Sequence, residues 1–266
     1  MPASLDQIVA ATRRKIAEAL GSADLRELEG RAQKHVPRGF RQALSKQSLA
    51  GPAIIAELKK ASPSRGLIRA DFDPTSLAVE LESAGAAALS VLTDVEFFQG
   101  SLQNLQKASS ASRLPCLRKD FLVDEFQLLE ARASRADAVL LIVAALSQAE
   151  LETLAARARS YNLDVLCEVH DENELERAIA AGCDLIGVNS RDLLTFTVDL
   201  NTAFHLADLI PKNVLAVAES GIRTGKDIAR LRAAGYQAFL IGESLMKAPS
   251  PGNALRTLLA EADSES

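Results

Sequence analysis

The chain has 266 residues, of which 48% are hydrophobic and 24% are charged, and its formal net charge at pH 7 is −5. These values are ordinary for a globular protein and allow one large α/β domain or two small ones. An acidic chain lacks the basic face that general nucleic-acid binding needs, although local positive charge could still hold a small anion. We therefore expect no nucleic-acid partner.

The sequence shows neither a membrane span nor an export signal. Its longest apolar run, 138–146, is far too short to cross a membrane, and residues 1–7 lack the basic and apolar regions of a signal peptide. The cysteines Cys116, Cys167 and Cys183 lie inside apolar runs, which predicts buried, reduced thiols rather than a disulfide framework. We therefore expect a cytoplasmic protein that does not bind membranes.

Metal-binding motifs are also missing from the sequence. It contains no C-x-x-C and no H-E-x-x-H, and His35, His170 and His205 lie far apart along the chain. We therefore predict no metal site.

The predicted elements fall into two parts. Residues 4–47 predict helices, because apolar residues recur with a period near 3.6. From residue 53 onward, short β-prone runs alternate with helical segments. The predicted strands are 53–58, 87–92, 114–118, 137–143, 165–169, 184–188, 214–218 and 237–241. The predicted helices between and after them are 74–84, 101–112, 124–135, 147–160, 172–181, 199–209, 224–234 and 253–262.

Eight strands that alternate with helices indicate parallel pairing through helical crossovers. This pattern predicts an α/β protein with a (β/α)8 TIM barrel. A doubly wound open sheet is the alternative, but it would normally show G-x-G-x-x-G after its first strand, whereas residues 59–64 read Lys-Lys-Ala-Ser-Pro-Ser. We predict a single domain over residues 1–266, with a helical extension at 1–50 that covers the barrel mouth and the barrel itself at 51–266.

Charged residues stand at the ends of all four odd-numbered strands. In a TIM barrel, the active site lies at the carboxyl ends of the strands. Strand 1 ends in Glu57 and Lys59, strand 3 in Lys119, strand 5 in Glu168 and strand 7 in Glu219. One such residue is most simply a solvated strand tip, but four in matching positions predict a ring of acids and bases whose pKa values are tuned for proton transfer.

Small and polar residues follow strands 1, 6, 7 and 8, where a barrel commonly holds phosphate. The predicted anion-binding set is Ser62, Ser64, Asn189, Arg191, Ser220, Gly221, Gly242 and Glu243. Each glycine taken singly could equally serve a tight turn. Three apolar residues are predicted at the same end of the barrel, where they could hold a planar apolar part of a substrate: Phe98, Phe121 and Leu140.

Together these segments resemble the indole-3-glycerol phosphate synthase family of tryptophan biosynthesis. The resemblance covers almost the whole chain, including the helical extension, and shows no departure at a catalytic position of the family. The segments that carry it are 54–64, 117–121, 166–169, 187–193, 218–222 and 239–246.

The resemblance implies a lyase without a cofactor or metal. It would close the indole ring of 1-(2-carboxyphenylamino)-1-deoxyribulose 5-phosphate, releasing carbon dioxide and water. Lys119 is the implied general acid on the ribulose carbonyl, and Lys59 the partner of the departing carboxylate. The implied catalytic set is Glu57, Lys59, Lys119, Glu168, Asn189 and Ser220. The implied substrate and phosphate set is Ser62, Arg191, Glu219, Gly221, Gly242 and Glu243. The implied anthranilate pocket is Phe98, Phe121 and Leu140.

The residues alone leave other functions open. Lys59 or Lys119 beside carboxylates could form a Schiff base, as in an aldolase. Sugar-phosphate isomerases use the same fold but typically show paired Asp or Cys/Asp groups. A third possibility is a non-catalytic barrel that binds a phosphorylated metabolite or a partner. An incomplete charged ring would favour that interpretation, but here the ring is complete. The partner expected from the resemblance is a small phosphorylated substrate, with the chain as a monomer or a weak homo-oligomer.

Overall fold

The computed structural model describes residues 4–265 and contains a closed barrel of eight parallel strands. Strand order around the barrel follows the chain, and the first strand pairs with the last to close it. The predicted (β/α)8 fold is therefore confirmed. The strands are β1 (Ala53–Leu58), β2 (Ala88–Leu92), β3 (Cys116–Lys119), β4 (Ala138–Ile142), β5 (Asp164–Val169), β6 (Leu185–Asn189), β7 (Leu215–Glu219) and β8 (Ala238–Ile241).

Helices precede the barrel, connect its strands and end the chain. Every predicted barrel helix is present, with ends that agree to within about two residues. The helices are α1 (Leu5–Ser22), α2 (Leu25–Lys34), α3 (Phe40–Ser48), α4 (Pro74–Ser83), α5 (Val95–Phe98), α6 (Leu102–Ala111), α7 (Glu125–Ala133), α8 (Gln148–Ser160), α9 (Glu172–Ala180), α10 (Asn201–Ala207), α11 (Gly225–Ala233), α12 (Glu243–Lys247) and α13 (Pro251–Ser264).

Local capping explains where several helices begin. A capping box of Ser147 and Glu150 starts α8, and the Asp73 carboxylate accepts backbone N–H bonds at the start of α4. The sequence did not predict the short elements near the mouth: α5, α12 and a hairpin that pairs Ala61–Ser62 with Gly66–Leu67. These elements are too short to show a hydrophobic period, so the sequence gives little signal for them.

The N-terminal helices lie on different sides of the barrel. Leu5 and Ile8 of α1 line the cavity at the mouth. In contrast, Phe40 and Leu44 of α3 are fully buried and pack against residues at the starts of the strands, including Ala53 and Ala138. The prediction that the extension as a whole covers the mouth is therefore wrong for α3, which closes the opposite end. An apolar helix face shows that a helix packs, but not on which end of a barrel.

A buried carboxylate attaches the segment between α2 and α3 to the barrel. Asp137, at the start of β4, accepts hydrogen bonds from the backbone N–H of Arg38 at 2.7 Å and from the Arg38 guanidinium, and lies 3.1 Å from His35 Nε2. The backbone N–H of Cys116 donates to it at 2.7 Å. Burial opposes ionisation, but the bonds from His35 and Arg38 prevail and lower the pKa of Asp137.

The cysteines differ in part from the prediction. All three are buried, as predicted, but Cys167 and Cys183 are paired in a disulfide, so the prediction of reduced thiols is wrong for these two. They are brought together because β5 and the turn before β6 flank α9, which leaves their Cα atoms 6.5 Å apart. Cys116 is a free thiol, and burial raises its pKa to about 12.

The remaining predictions about chain organisation concern its ends and its relation to membranes. In residues 4–265, no helix is long and apolar enough to cross a membrane. Residues 1–3, which belong to the segment where we expect no signal peptide, and residue 266 lie outside the described residues.

We expect Asp137→Asn to destabilise the protein by about 3 kcal/mol or more, because it leaves the partly buried Arg38 guanidinium without its counter-charge. Urea unfolding followed by circular dichroism at pH 7 measures the loss. Because the pKa of Asp137 is lowered in the fold, its contribution is present at neutral pH and disappears on acidification. The exposed Asp208→Asn variant is the control, and equal midpoints for the two variants would contradict the role of Asp137.

Candidate active site

The interior of the barrel is apolar up to the last inward-facing position of each odd strand. Residues that alternate along these strands pack together inside: Ala53, Ile55, Leu117, Leu166, Leu215 and Val217. Two positions further along each strand, the inner face carries a charged residue. These residues are Glu57, Lys119, Glu168 and Glu219. The two-residue period of the strands therefore places the predicted charged ring next to the apolar interior of the barrel.

Lys119 lies at the centre of this ring. Its Nζ is 2.5 Å from Glu168 Oε2 and 3.1 Å from Glu219 Oε2. The Lys119 side chain is 14% exposed, and those of the two glutamates are 3% and 2% exposed. Burial opposes the charge, but Glu168, Glu219 and Glu57 together raise the pKa of Lys119 well above its ordinary value. Lys119 is therefore held as an ammonium ion.

The neighbours of Lys119 in sequence fix the end of β3 from outside. Arg118 is buried and donates to Asp120 Oδ2 at 3.0 Å and to the carbonyl of Gln127 at 2.7 Å. The Thr93 hydroxyl, just after β2, donates to the same Asp120 oxygen at 2.6 Å. Because strand residues alternate in direction, these bonds hold Arg118 outward and Lys119 inward.

Glu57 and Lys59 form a second ion pair beside the first. Lys59 Nζ lies 2.5 Å from Glu57 Oε1, and the Glu57 side chain is 5% exposed. Glu57 is on β1, but Lys59 lies just past its end, where the chain turns into the hairpin over the mouth. Gly242 makes room for the pair, since a Cβ at that position would lie 2.5 Å from Glu57 Oε1. This glycine therefore allows close approach.

Glu168 has a partner on each oxygen. While Oε2 binds Lys119, Oε1 accepts a hydrogen bond from Asn189 Nδ2 at 3.1 Å. The Asn189 amide is oriented in turn by Ser220, whose hydroxyl donates to Asn189 Oδ1 at 2.7 Å. Ser220 has a positive φ of 64°, a strained conformation for a residue other than glycine, and Gly221 follows with φ 81°. The turn after β7 thus aims the Ser220 hydroxyl at Asn189.

The two glutamates beside Lys119 differ in proton affinity. Burial of Glu168 opposes ionisation, but Lys119 and His170 lower its pKa. Burial of Glu219 and repulsion from Glu168 and Glu57 outweigh the attraction of Lys119 and raise its pKa. Two carboxylates in different environments are a common basis for assigning separate acid and base roles. The Glu219 carboxylate contacts Lys119 as part of the charged ring. The resemblance to the family had instead implied that Glu219 binds substrate or phosphate.

One cavity of about 430 Å³ brings together every residue predicted for the site. Phe98 and Phe121 lie on its wall with ring centroids 6.3 Å apart, and Leu140 of β4 is buried beside them. All eight predicted anion-binding residues line this cavity: Asn189 bonds to Glu168 on the floor, and the other seven, which we call the rim, are Ser62, Ser64, Arg191, Ser220, Gly221, Gly242 and Glu243. The cavity thus has an apolar wall, a charged floor and a polar rim.

The rim also contains cations that the sequence analysis missed. Glu243 lies 3.3 Å from Arg65 Nε, 2.5 Å from Lys247 Nζ and 3.8 Å from Arg191 Nη2. Only the spacing of Glu243 and Lys247, four residues apart on α12, was a visible signal of this cluster. A third missed residue, His170, lies beside Glu168. It was considered above only as a metal ligand.

Comparison with solved structures defines the class of protein. A 3-hexulose-6-phosphate synthase superposes with a TM-score of 0.62 at 15% identity, covering 79% of this chain and 99% of that chain. A thiamine phosphate pyrophosphorylase from Pyrococcus furiosus superposes with a TM-score of 0.60 at 16% identity, covering 80% and 96%. At such identities the likeness shows a shared TIM-barrel fold alone.

Comparison with known sequences is more specific. The family model described as indole-3-glycerol phosphate synthase matches residues 5–258. A relative of that name from Koribacter versatilis (strain Ellin345) is 59% identical over 259 residues, covering 97% of this chain and 100% of the relative. Another from Acinetobacter baumannii is 48% identical over 260 residues, covering 97% and 96%. The chain therefore belongs to the indole-3-glycerol phosphate synthase family. It is an enzyme of tryptophan biosynthesis, a carboxy-lyase that acts on a small phosphorylated substrate.

We expect Gly187→Ala to lower synthase activity by about 10²-fold, because the added Cβ would overlap Glu219 Oε1 and push that carboxylate off Lys119. Formation of indole-3-glycerol phosphate from the family's substrate measures the effect.

Gly30→Ala is the matched control for this substitution. Gly30 is a partly exposed residue of α2, and nothing lies within 4 Å of an added Cβ, so this variant should keep full activity. Full activity in a folded Gly187→Ala protein would contradict the tight fit around Glu219.

Proposed function

We propose that the cavity closes the indole ring of 1-(2-carboxyphenylamino)-1-deoxyribulose 5-phosphate by Lys/Glu general acid–base catalysis. The observation that carries this proposal is the Lys119 ammonium, buried on the barrel floor between Glu168 and Glu219. The products are indole-3-glycerol phosphate, carbon dioxide and water. The family membership and the combination of cations, carboxylates and an apolar wall in one cavity support this assignment.

Lys119 acts on the ribulose carbonyl. As the anilino ring attacks the carbonyl carbon, negative charge develops on the oxygen, and a fixed ammonium in a water-poor site stabilises it strongly. The carboxylates that raise the pKa of Lys119 also make it a weak acid. Proton transfer to the substrate therefore requires one of those carboxylates to be neutral, and Glu219, whose pKa is raised, is the residue suited to this state.

Lys59 and Glu57 handle the second half of the reaction. The Lys59 ammonium pairs with the substrate carboxylate that leaves as carbon dioxide, and then serves as the acid in the dehydration. The contact of 2.5 Å between Lys59 Nζ and Glu57 Oε1 supports this role, because it places the ammonium where it can pair with a carboxylate. Glu57 and Glu168 share the remaining proton transfers, and Asn189, held by Ser220, positions a substrate hydroxyl or carboxylate.

The two ends of the substrate bind to opposite sides of the cavity. The phosphate is held at the rim by Ser62, Arg191, Gly221, Gly242 and the backbone of Glu243. The anthranilate ring lies against Phe98, Phe121 and Leu140. Arg65 and Lys247 add positive charge near the phosphate, where their contacts with Glu243 keep them in reach of the rim.

The state of Lys119 disfavours the aldolase interpretation. A Schiff base requires an unprotonated amine that attacks a carbonyl. The raised pKa of Lys119 keeps it as an ammonium, and Lys59 is also paired with a carboxylate. We further propose that the chain works as a single domain in the cytoplasm, as a monomer or a weak homo-oligomer without a nucleic-acid partner.

We expect the purified protein to generate indole fluorescence from this substrate, a signal that stands almost alone because the chain contains no tryptophan. Lys119→Met keeps the length of the side chain but removes its charge, and should lower kcat by about 10²–10⁴-fold. Because the rim is unchanged, binding of a phosphorylated product should persist.

Lys107→Met, an exposed lysine on α6, is the matched control and should retain activity. If the folded wild-type protein forms no indole-3-glycerol phosphate, the proposed reaction is refuted. Undiminished activity in Lys119→Met would keep the reaction but overturn the role of Lys119.

A further inference from the structure

His170 lies beside the active site but contacts the proposed substrate cavity only through Glu168. It follows β5 directly, two residues after Glu168, so both side chains lie on the same side of the chain. Its Nε2 is 3.4 Å from Glu168 Oε1, the oxygen that also accepts from Asn189. This nitrogen is buried and has no hydrogen-bond partner among the described residues. The imidazole ring of His170 therefore interacts with Glu168 as an ion pair rather than through a hydrogen bond.

The opposite edge of the imidazole is held in place by Glu174. Glu174 Oε2 lies 2.9 Å from His170 Nδ1 and accepts the backbone N–H of His170 at 2.8 Å. Glu174 is itself fixed at the start of α9, where its own N–H donates to Asp171 Oδ1 at 2.8 Å. The His170 side chain is 13% exposed. The histidine is thus clamped between a carboxylate in the site and a carboxylate on a helix.

The surrounding groups keep the imidazole charged. Burial of the ring acts to lower the pKa of His170, but Glu168 and Glu174 raise it to about 10. His170 also borders a second cavity, outside the barrel mouth, whose ionisable residues are mostly acidic. They are Asp6 of α1, Asp171 and Glu174 at α9, and Arg191, Asp192 and Asp199 after β6. Arg191 is the one cation among them, so the net field favours the imidazolium.

Glu168 therefore lies between two cations of different kinds. Lys119 touches Oε2 and, in the proposed reaction, turns toward the substrate carbonyl as charge develops there. His170 lies on the Oε1 side and does not touch the substrate. When Lys119 is engaged by the substrate, His170 is the cation that remains with Glu168.

We propose that His170, clamped by Glu174, is a positioning residue that keeps Glu168 ionised and its Oε1 directed at Asn189 during the proton transfers of the reaction. This inference rests on the proposed function, because it concerns the protonation state and orientation of Glu168, one of the bases in the proposed reaction. It predicts an effect on turnover and on its pH dependence, not on substrate binding.

The test is the pH profile of kcat for His170→Gln. Removing the imidazolium raises the proton affinity of Glu168, so the carboxylate is lost at a higher pH as the solution is acidified. We expect the acid limb of kcat to move up by about one pH unit, with KM changed less than twofold. His205→Gln is the matched control, because that histidine forms an exposed pair with Glu172.

Glu174→Gln provides a second, milder variant. It leaves His170 in place but removes the contact that holds the ring beside Glu168, so the imidazolium stabilises the Glu168 carboxylate less and the acid limb should move in the same direction by a smaller amount. In the double variant His170→Gln/Glu174→Gln, the effect should equal that of His170→Gln alone, because Glu174 acts through His170. Glu176→Gln, an exposed glutamate on the same helix, is its control.

The outcomes separate this inference from the proposed function. A wild-type protein that forms no indole-3-glycerol phosphate refutes the reaction itself. With an active wild type, an unmoved acid limb in folded His170→Gln overturns the positioning role, even if kcat falls, because a purely structural loss would not move the limb. Additive effects in the double variant also overturn it. If His170→Gln does not fold, the acid limb of Glu174→Gln decides in the same way.

Discussion

The site depends on one electrostatic constraint: an ammonium ion, Lys119, is held out of water between the carboxylates of Glu168 and Glu219. An unpaired buried charge is costly, so each of the three groups needs the others. The arrangement has two carboxylates for one central ammonium ion, and the raised pKa of Glu219 offsets that imbalance by favouring a proton there. In the proposed reaction, this proton lies next to the cation that polarises the substrate.

The scaffold supplies this constraint through strand register. Inner positions recur every second residue, so a strand that packs Leu117 or Leu166 inside must also direct Lys119 or Glu168 inward. Glycines on or directly after the neighbouring even strands leave space for two of the glutamate side chains. Gly187 on β6 makes room for Glu219, and Gly242 just after β8 makes room for Glu57. The end of the barrel opposite the site is closed by α3, so the charged ring meets solvent only through the mouth.

The sequence predicted the structure correctly wherever the local spacing of apolar residues determines it. Strand alternation and the count of eight units predicted the barrel, and the odd strand ends predicted the charged ring. Features set by tertiary packing were missed. The apolar face of α3 does not reveal which end of the barrel it covers, and a 16-residue separation does not show that Cys167 and Cys183 meet. His170 carries no signal by itself, because its role comes from Glu174, which turns the ring toward Glu168.

The most direct test of this account is the protonation state of Lys119. Nuclear magnetic resonance of protein labelled with 15N at the lysine Nζ atoms, with the Lys119 signal assigned by its loss in Lys119→Met, follows that state against pH. The account predicts that Lys119 remains an ammonium ion at pH values well above the ordinary pKa of a lysine side chain. A Lys119 signal that titrates below those of the exposed lysines would contradict it, and would restore a free amine to the centre of the site.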